Sequence, residues 1–510
     1  MQMATPNLAR ELTFSDSYTP RATAVVALIA LGIAVLHLLT NQRYGFHRDE
    51  LQTLSDALHL DWGFVPYPPL TPFLERIGLQ LFGLSLVGLR LFSVIAQCTA
   101  IFITGLTAWE LGGGRLAQAT AALAVAVAPL ALFEGTEFQY TSFDYVWWVL
   151  VAYFVVRLLK TENPRWCLAI GAVVGIGLQT KYTMFFYLAG VLLGLLLTPA
   201  RRFLLTRWFW AGAGLALLIF LPNFIWQVRH DFVSLQFLRH IHTRDVGEGR
   251  AEGYWSSQLL NANPVSIPLW IAGLIGFFRS ARFRTLAWMA VIPVLILWAS
   301  KGRGYYPGAV YPMLLAMGTV MMESWIRRSG QRWLKPAAAV YLVALIAGGA
   351  YASTILVPWT SSGPLRDRAL TSNGDLREEI GWNELVKNVA SIRDSLPLDQ
   401  RASVGILVGN YGEQGAIELL GRAYHLPAPI SMTNSAWLRG YPTPPPSTLI
   451  VVGNSAEWVE KNFTSCRLAR HYTNSEGVDN EESRYHPDIF VCGPPRVPWA
   501  EFWQTHQRFG

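Results

Sequence analysis

Two sets of charged residues stand out because they interrupt long apolar stretches. One set is acidic. Asp49 and Glu50 fall in Tyr44-Gly45-Phe46-His47-Arg48-Asp49-Glu50-Leu51, and Asp144 closes the segment that starts at Glu134 and Glu137. The other set is basic. Lys181 lies in Gln179-Thr180-Lys181-Tyr182-Thr183, and Lys301 and Arg303 lie in Lys301-Gly302-Arg303-Gly304-Tyr305-Tyr306. A carboxylate can accept the proton of an attacking hydroxyl. Arg and Lys suit phosphate and can stabilise one that departs. Together they suit a displacement with an anionic leaving group, the acid side activating the nucleophile.

Each residue also has a plainer reading. Asp49 and Glu50 fit a helix-start pair, since carboxylates are favoured near a helix N-terminus. Asp144 fits an N-terminal cap position, with Thr141 or Ser142 capping. Tyr305 and Tyr306 fit the aromatic belt of a membrane interface. His240 and His242 share a face on a strand but not on a helix. With His230 and Asp231 they read as solvated loop residues rather than metal ligands.

The composition says what must hold these residues. Of 510 residues, 52% are hydrophobic and only 15% charged, against roughly 25% charged in a soluble domain. Mean hydropathy is +0.28. About 20 apolar residues span a bilayer core, and eleven segments qualify as spans: 21–40, 87–108, 116–133, 143–159, 166–179, 182–198, 208–226, 264–279, 284–300, 306–325 and 336–356. The first reads as an uncleaved span rather than a signal peptide, because no small-residue cleavage site follows it.

Lys and Arg mark the inner side of a membrane. With the N-terminus inside, Arg115, Arg157, Lys160, Arg165, Arg201, Arg202, Arg207, Arg279, Arg282, Arg327, Arg328 and Lys335 all fall on inner loops. The pI of about 9.2 is thus topology charge and gives no reason to expect a nucleic-acid partner. The acidic and basic sets land together on the outer side. That compartment lacks nucleotide sugars and ATP, so a transferase there needs an activated donor delivered through the bilayer. A polyprenyl-phosphate sugar meets that need.

The outer loop 41–86 has two parts. Leu51, Leu54 and Leu58 recur at helical spacing, which predicts an amphipathic helix lying in the interface. Val65-Pro66-Tyr67-Pro68-Pro69-Leu70-Thr71-Pro72 cannot be a helix interior and reads as a stiff lead into a re-entrant or interfacial helix. Residues 1–356 form the membrane domain and 357–510 a soluble α/β domain, expected outside. In the latter, 402–408 and 447–452 read as strands, and 413–424 and 456–463 as helices, in a small, mostly parallel sheet. Of four cysteines, Cys98 and Cys167 lie in apolar segments. Cys466 and Cys492 fit a disulfide in an oxidising compartment.

His47-Arg48-Asp49-Glu50-Leu51 with Gly63-Phe64-Val65-Pro66-Tyr67-Pro68-Pro69-Leu70-Thr71-Pro72 resembles family 39 of the glycosyltransferases. That family belongs to the GT-C fold group, with the protein O-mannosyltransferases and the lipid A aminoarabinose transferase. The likeness continues through Thr180-Lys181-Tyr182-Thr183, Leu221 to Gln227, Tyr305-Tyr306-Pro307 and Asn410-Tyr411-Gly412-Glu413. It implies a mainly α, multi-pass GT-C protein of about eleven spans in a bacterial inner membrane. The activity implied is inverting transfer of a sugar from a polyprenyl-phosphate donor to a glycolipid, glycan or protein acceptor. Asp49 would be the base, Glu50 its neighbour and Asp144 a second outer carboxylate. Arg48, Tyr67, Lys181, Lys301, Arg303, Tyr305 and Tyr306 would bind substrate. Some relatives hold a divalent metal through an acidic residue before the prolines. Tyr67 stands there in this chain, which leaves metal use open. The rival readings are a transporter or flippase of a polyprenyl-linked substrate and a non-catalytic accessory protein; no duplicated halves favour the transporter.

Overall fold

The computed structural model describes residues 20–510. The N-terminus, expected on the inner side, lies outside the described residues. Sixteen helices precede the soluble part: α1 (Thr23–Thr40), α2 (Arg48–Leu58), α3 (Leu70–Phe82), α4 (Leu86–Glu110), α5 (Arg115–Ala126), α6 (Pro129–Glu134), α7 (Tyr140–Thr161), α8 (Trp166–Leu178), α9 (Met184–Leu196), α10 (Arg207–Arg229), α11 (Val233–Gly247), α12 (Tyr254–Asn261), α13 (Ile267–Arg279), α14 (Arg284–Ala299), α15 (Tyr311–Ser329) and α16 (Leu334–Leu356).

Every expected span falls on helix, but not every one is a single helix long enough to cross. Among the described residues, Thr23–Thr40, Leu86–Glu110, Tyr140–Thr161, Arg207–Arg229, Tyr306–Ser329 and Leu334–Leu356 each qualify alone. Two bent pairs, Met184–Leu196 with Pro199–Leu205 and Tyr254–Asn261 with Pro264–Arg279, raise the number to eight. The stretch 116–133 breaks between α5 and α6, because Pro129 has no N–H with which to continue the helix.

Small residues let these helices touch. A Cβ on Gly171 of α8 would lie 2.0 Å from the Gly212 carbonyl oxygen of α10, and one on Gly273 of α13 would lie 1.9 Å from that of Leu314 on α15. In a bilayer, where burial of apolar surface between helices adds little, such close backbone packing is a main source of association.

The loop at 227–263 is largely helical, as α11 and α12. His240 and His242 therefore diverge, and among the described residues no three His, Cys, Asp or Glu side chains gather as a metal site.

The soluble part adds α17 (Pro364–Ser372), α18 (Trp382–Ser395), α19 (Leu398–Ser403) and α20 (Tyr411–Leu420). Its five strands are β1 (Val404–Val408), β2 (Pro429–Ser431), β3 (Thr448–Val451), β4 (Arg467–His471) and β5 (Asp488–Cys492), ordered β2-β1-β3-β5-β4. The sheet is mixed rather than mostly parallel. β1 pairs parallel with β2 and β3, while β5 pairs antiparallel with β3 and β4. The sequence hid β2 because it is three residues long, and β4 because it is a largely exposed, polar edge strand. Cys466 and Cys492 form a disulfide beside β4 and β5.

Candidate active site

The first loop, expected on the outer side, is pinned at its start. His47 caps α2, its ring accepting from the Asp49 N–H, while Glu50 reaches back to the His47 N–H at 2.8 Å. This reciprocal cap satisfies backbone donors that a helix start otherwise leaves free. Glu50 does far more than cap. Its Oε1 accepts from Arg90 Nε at 2.8 Å and from the Phe138 N–H at 2.7 Å, and its Oε2 accepts from Arg90 Nη2 at 2.7 Å. It is 1% exposed. Glu50 thus occupies an anchoring position, with both oxygens committed, whereas its neighbour Asp49 faces the other way. Asp49 Oδ1 accepts from the Tyr411 hydroxyl at 3.0 Å.

Helix α2 differs from the interfacial helix its leucine spacing predicts. Leu51, Leu54 and Ala57 are buried, but so are Gln52, Thr53, Ser55 and Asp56 on the polar side. The soluble domain covers that side. Gln414 donates to Ser55 at 2.8 Å, Ser55 donates to Glu418 at 2.5 Å, and Arg439 donates to Asp56. Polar residues that look solvated in sequence are therefore an interface.

A small pocket opens between the membrane helices, lined by Leu130, Glu134, Thr141, Asp144, Tyr145, Lys181, Tyr305, Tyr306 and Ala309. Lys181 is its centre. Its ammonium lies 4.6 Å from the Tyr306 ring centroid, 4.9 Å from that of Tyr140 and 5.5 Å from that of Tyr305. Ring faces attract a cation and leave its N–H groups for a ligand. Asp144 does not cap a helix, since α7 begins four residues earlier. It stands inside the first turns, accepting from Trp148 Nε1 at 3.0 Å and from the Thr183 hydroxyl at 2.6 Å. These bonds aim its negative charge at Lys181.

Burial lowers the Lys181 pKa from its usual 10.5 to about 8, with the Asp144 and Glu134 carboxylates opposing the shift. Burial likewise raises the Glu134 carboxyl to about 7, against the pull of Thr141 and Lys181. Lys181 therefore carries its charge below about pH 8 and loses it above. If it binds a phosphate, the apparent KM for the lipid donor rises on the alkaline side of pH 8, whereas Lys181→Met gives a high KM at every pH. Initial rates from pH 6.5 to 9.5 with both proteins check this; parallel profiles would remove Lys181 from phosphate binding.

Tyr140 connects the pocket to Asp49. Its ring meets Tyr67 at 5.6 Å and Lys181 at 4.9 Å, and its hydroxyl lies within electrostatic reach of Asp49 and Arg303. Arg303 is held by Asp245 of α11 through two bonds of 2.6 and 2.9 Å. Arg244 and Arg250 approach the same carboxylate at 3.4 and 3.6 Å. Glu248 holds Arg250 more closely, at 2.7 Å, so three guanidiniums meet two carboxylates and this rim keeps one net positive charge.

The remaining expected residues are placed as follows. Arg48 packs over the Tyr411 ring at 4.7 Å and pairs with Glu481. Tyr67 is buried and donates to Asp56 Oδ2 at 2.7 Å. Lys301 is exposed and outside the pocket. It takes the left-handed conformation (φ 53°) that ends α14, where its own N–H and that of Gly302 satisfy the last carbonyls. Lys181, Asp144, Tyr305 and Tyr306 are brought together; Asp49 and Arg303 flank them; Lys301 is not brought in.

Two buried carboxylates, Asp56 and Glu75, lie near Tyr67. Asp56 has one oxygen bonded to Tyr67 and the other to Arg439.

Sequence reading missed Tyr140, Arg244, Asp245, Arg90 and Tyr411 as site residues. Arg90 carried a signal, as an Arg within an apolar span, where an ionisable residue needs a partner, and Tyr411 lay in the stretch Asn410-Tyr411-Gly412-Glu413 that continues the family resemblance.

The bent helices, the helical first loop and the appended mixed-sheet domain are those of a multi-pass membrane protein of the GT-C glycosyltransferase fold. Residues 66–226 match the family model described as dolichyl-phosphate-mannose-protein mannosyltransferase. The lipid A galacturonosyltransferase RgtD of Rhizobium johnstonii is 26% identical over 300 residues, 56% of this chain and 62% of that protein. The chain thus spans somewhat under two thirds of that relative's length. ArnT from Cupriavidus metallidurans, solved bound to undecaprenyl phosphate, superposes with a TM-score of 0.54 at 16% identity, over 92% of this chain and 98% of that one. A mycobacterial arabinofuranosyltransferase, AftD, gives 0.51 at 14% identity, over 94% of this chain and 42% of that one. At these identities the solved structures establish the fold.

Proposed function

We propose that this protein is an inverting glycosyltransferase that moves a sugar from a polyprenyl-phosphate donor to an acceptor hydroxyl on the outer face of a bacterial inner membrane. The observation that carries this is the gathering of opposite charges at one pocket. Glu134, Asp144 and Lys181 line it, and Tyr140 beside Lys181 stands within electrostatic reach of Asp49 and Arg303.

The donor phosphate fits the Lys181 cage, with Arg303 on the rim and the lipid chain running between helices. Asp49 accepts the proton of the acceptor hydroxyl. Its oxygen attacks the anomeric carbon from the face opposite the phosphate, which inverts the centre in a single displacement. The phosphate leaves with the bonding electrons and is met by the cations. Asp144 keeps Lys181 charged and oriented.

The named activity of the Rhizobium relative favours a lipid A-type acceptor over a protein, and the ligand of the ArnT structure favours undecaprenyl phosphate as carrier. The inner-loop Lys and Arg bias supports a cytoplasmic N-terminus and a periplasmic C-terminal domain. The Cys466–Cys492 disulfide supports the same oxidising side.

Mass spectrometry of lipids and envelope glycans from cells lacking the protein, set against complemented cells, tests the proposal. The expected result is one sugar missing from one acceptor, with its polyprenyl-phosphate form accumulating. Unchanged glycans, with a polyprenyl-linked substrate trapped on the inner leaflet, would instead make the protein a transporter.

A further inference from the structure

The soluble domain meets the membrane domain where the proposed base sits. Helix α20 lies flush along α2. A Cβ on Gly415 would stand 2.1 Å from the Leu51 carbonyl oxygen, and one on Gly412 would stand 3.1 Å from Arg48 Cβ. Only glycine permits that approach. It brings Tyr411, the first residue of α20, over the start of α2, where its hydroxyl donates to Asp49 Oδ1 at 3.0 Å.

Tyr411 is itself held from two sides. Asn410 caps α20 by accepting from the Glu413 N–H at 2.9 Å, while Glu413 accepts from the Gly409 N–H at 2.8 Å. The Arg48 guanidinium lies 4.7 Å from the ring centroid and is tied to Glu481. The phenol is therefore fixed in place by both domains, and burial raises its pKa above the usual tyrosine value, so it remains a donor.

We infer that Tyr411 is a positioning residue for glycosyl transfer, holding Asp49 Oδ1 so that Oδ2 faces the acceptor hydroxyl. The inference rests on the reading of Asp49 as base. Oδ2 has no hydrogen-bond partner among the described residues. In the transfer step the acceptor O–H bond breaks and its proton passes to Oδ2. The acceptor oxygen bonds to the anomeric carbon, and the carbon–phosphate-oxygen bond breaks, its electron pair leaving with the phosphate. Tyr411 keeps its proton throughout. The soluble domain thereby completes the active site instead of only covering it.

The groups that act on Asp49 are Arg48 on its own helix, Tyr140 from α7 and Tyr411 from α20. Removing one hydroxyl among them isolates the contact. Steady-state transfer from an undecaprenyl-phosphate sugar, by the full-length protein in detergent, is compared for wild type, Tyr411→Phe and Asp49→Asn. Phe keeps the ring under Arg48. We expect Tyr411→Phe to lower kcat by about tenfold with donor KM unchanged. A wild-type kcat in Tyr411→Phe, with Asp49→Asn inactive, would overturn the role of Tyr411 alone. Activity in Asp49→Asn would instead overturn the base assignment. A lowered melting temperature in Tyr411→Phe, with kcat per folded enzyme unchanged, would make the contact purely structural.

Discussion

Asp49→Asn abolishes transfer while leaving the protein folded and able to bind its donor. General-base groups contribute about 100- to 10,000-fold, and the loss in kcat falls in that range. The amide can still accept from Tyr411 at the position of Oδ1, which lies 3.0 Å from that hydroxyl. It cannot take a proton from the acceptor. Stability therefore stays near wild type. Donor KM also stays, because the proposed phosphate site is built from Lys181 and Arg303. Rates on purified protein, with a thermal melt on the same sample, check both halves of the expectation. Retained activity would remove the base and return the accessory or transporter reading. Loss of activity together with loss of fold would say that the carboxylate is structural.

The second large effect falls on stability. Arg90 is fully buried within α4 and holds the first loop to the bundle. It donates twice to Glu50, once to the Asn41 carbonyl at 2.8 Å and once to the Gly45 carbonyl at 3.0 Å. It also faces Glu379 of the soluble domain at 3.5 Å. Arg90→Leu leaves two buried carboxylates without their cation. Breaking a buried pair in this way costs about 3–5 kcal/mol. The expected outcome is a sharply lower melting temperature in detergent and poor recovery from membranes. Glu50→Leu in the same protein removes one stranded charge, so the double variant is less destabilised than the two single losses summed. A melting temperature for Arg90→Leu close to wild type would show that the loop is held elsewhere.

Arg90 also shows how far a sequence can be read. An arginine amid Phe, Val and Leu announces a partner, yet the three Glu residues within its electrostatic reach, Glu50, Glu137 and Glu379, are spread over more than three hundred positions. Glu50 is beside Asp49, so the pair reads as two equivalent carboxylates. The structure separates them. One residue along a helix turns a side chain by about a quarter of a turn or more, and that rotation sends Glu50 into the bundle and Asp49 towards Tyr411. In the same way, Lys301 and Arg303 look alike in a glycine-rich turn. The helix end claims the backbone at Lys301, and Asp245 from α11 claims the side chain of Arg303.

The sequence by itself determined the membrane class and the helical segments, because hydropathy acts locally along the chain. It also marked Asp49, Asp144 and Lys181, since a charge in an apolar setting needs a reason wherever it folds. Tertiary structure alone decided which of these residues meet, that Tyr140 links them, and that Tyr411 reaches Asp49 across a separation of 362 residues. Those contacts depend on the glycine-permitted approach of α20 to α2 and on the packing of bent helices. They are set by three-dimensional complementarity between surfaces, which no local pattern in the chain encodes.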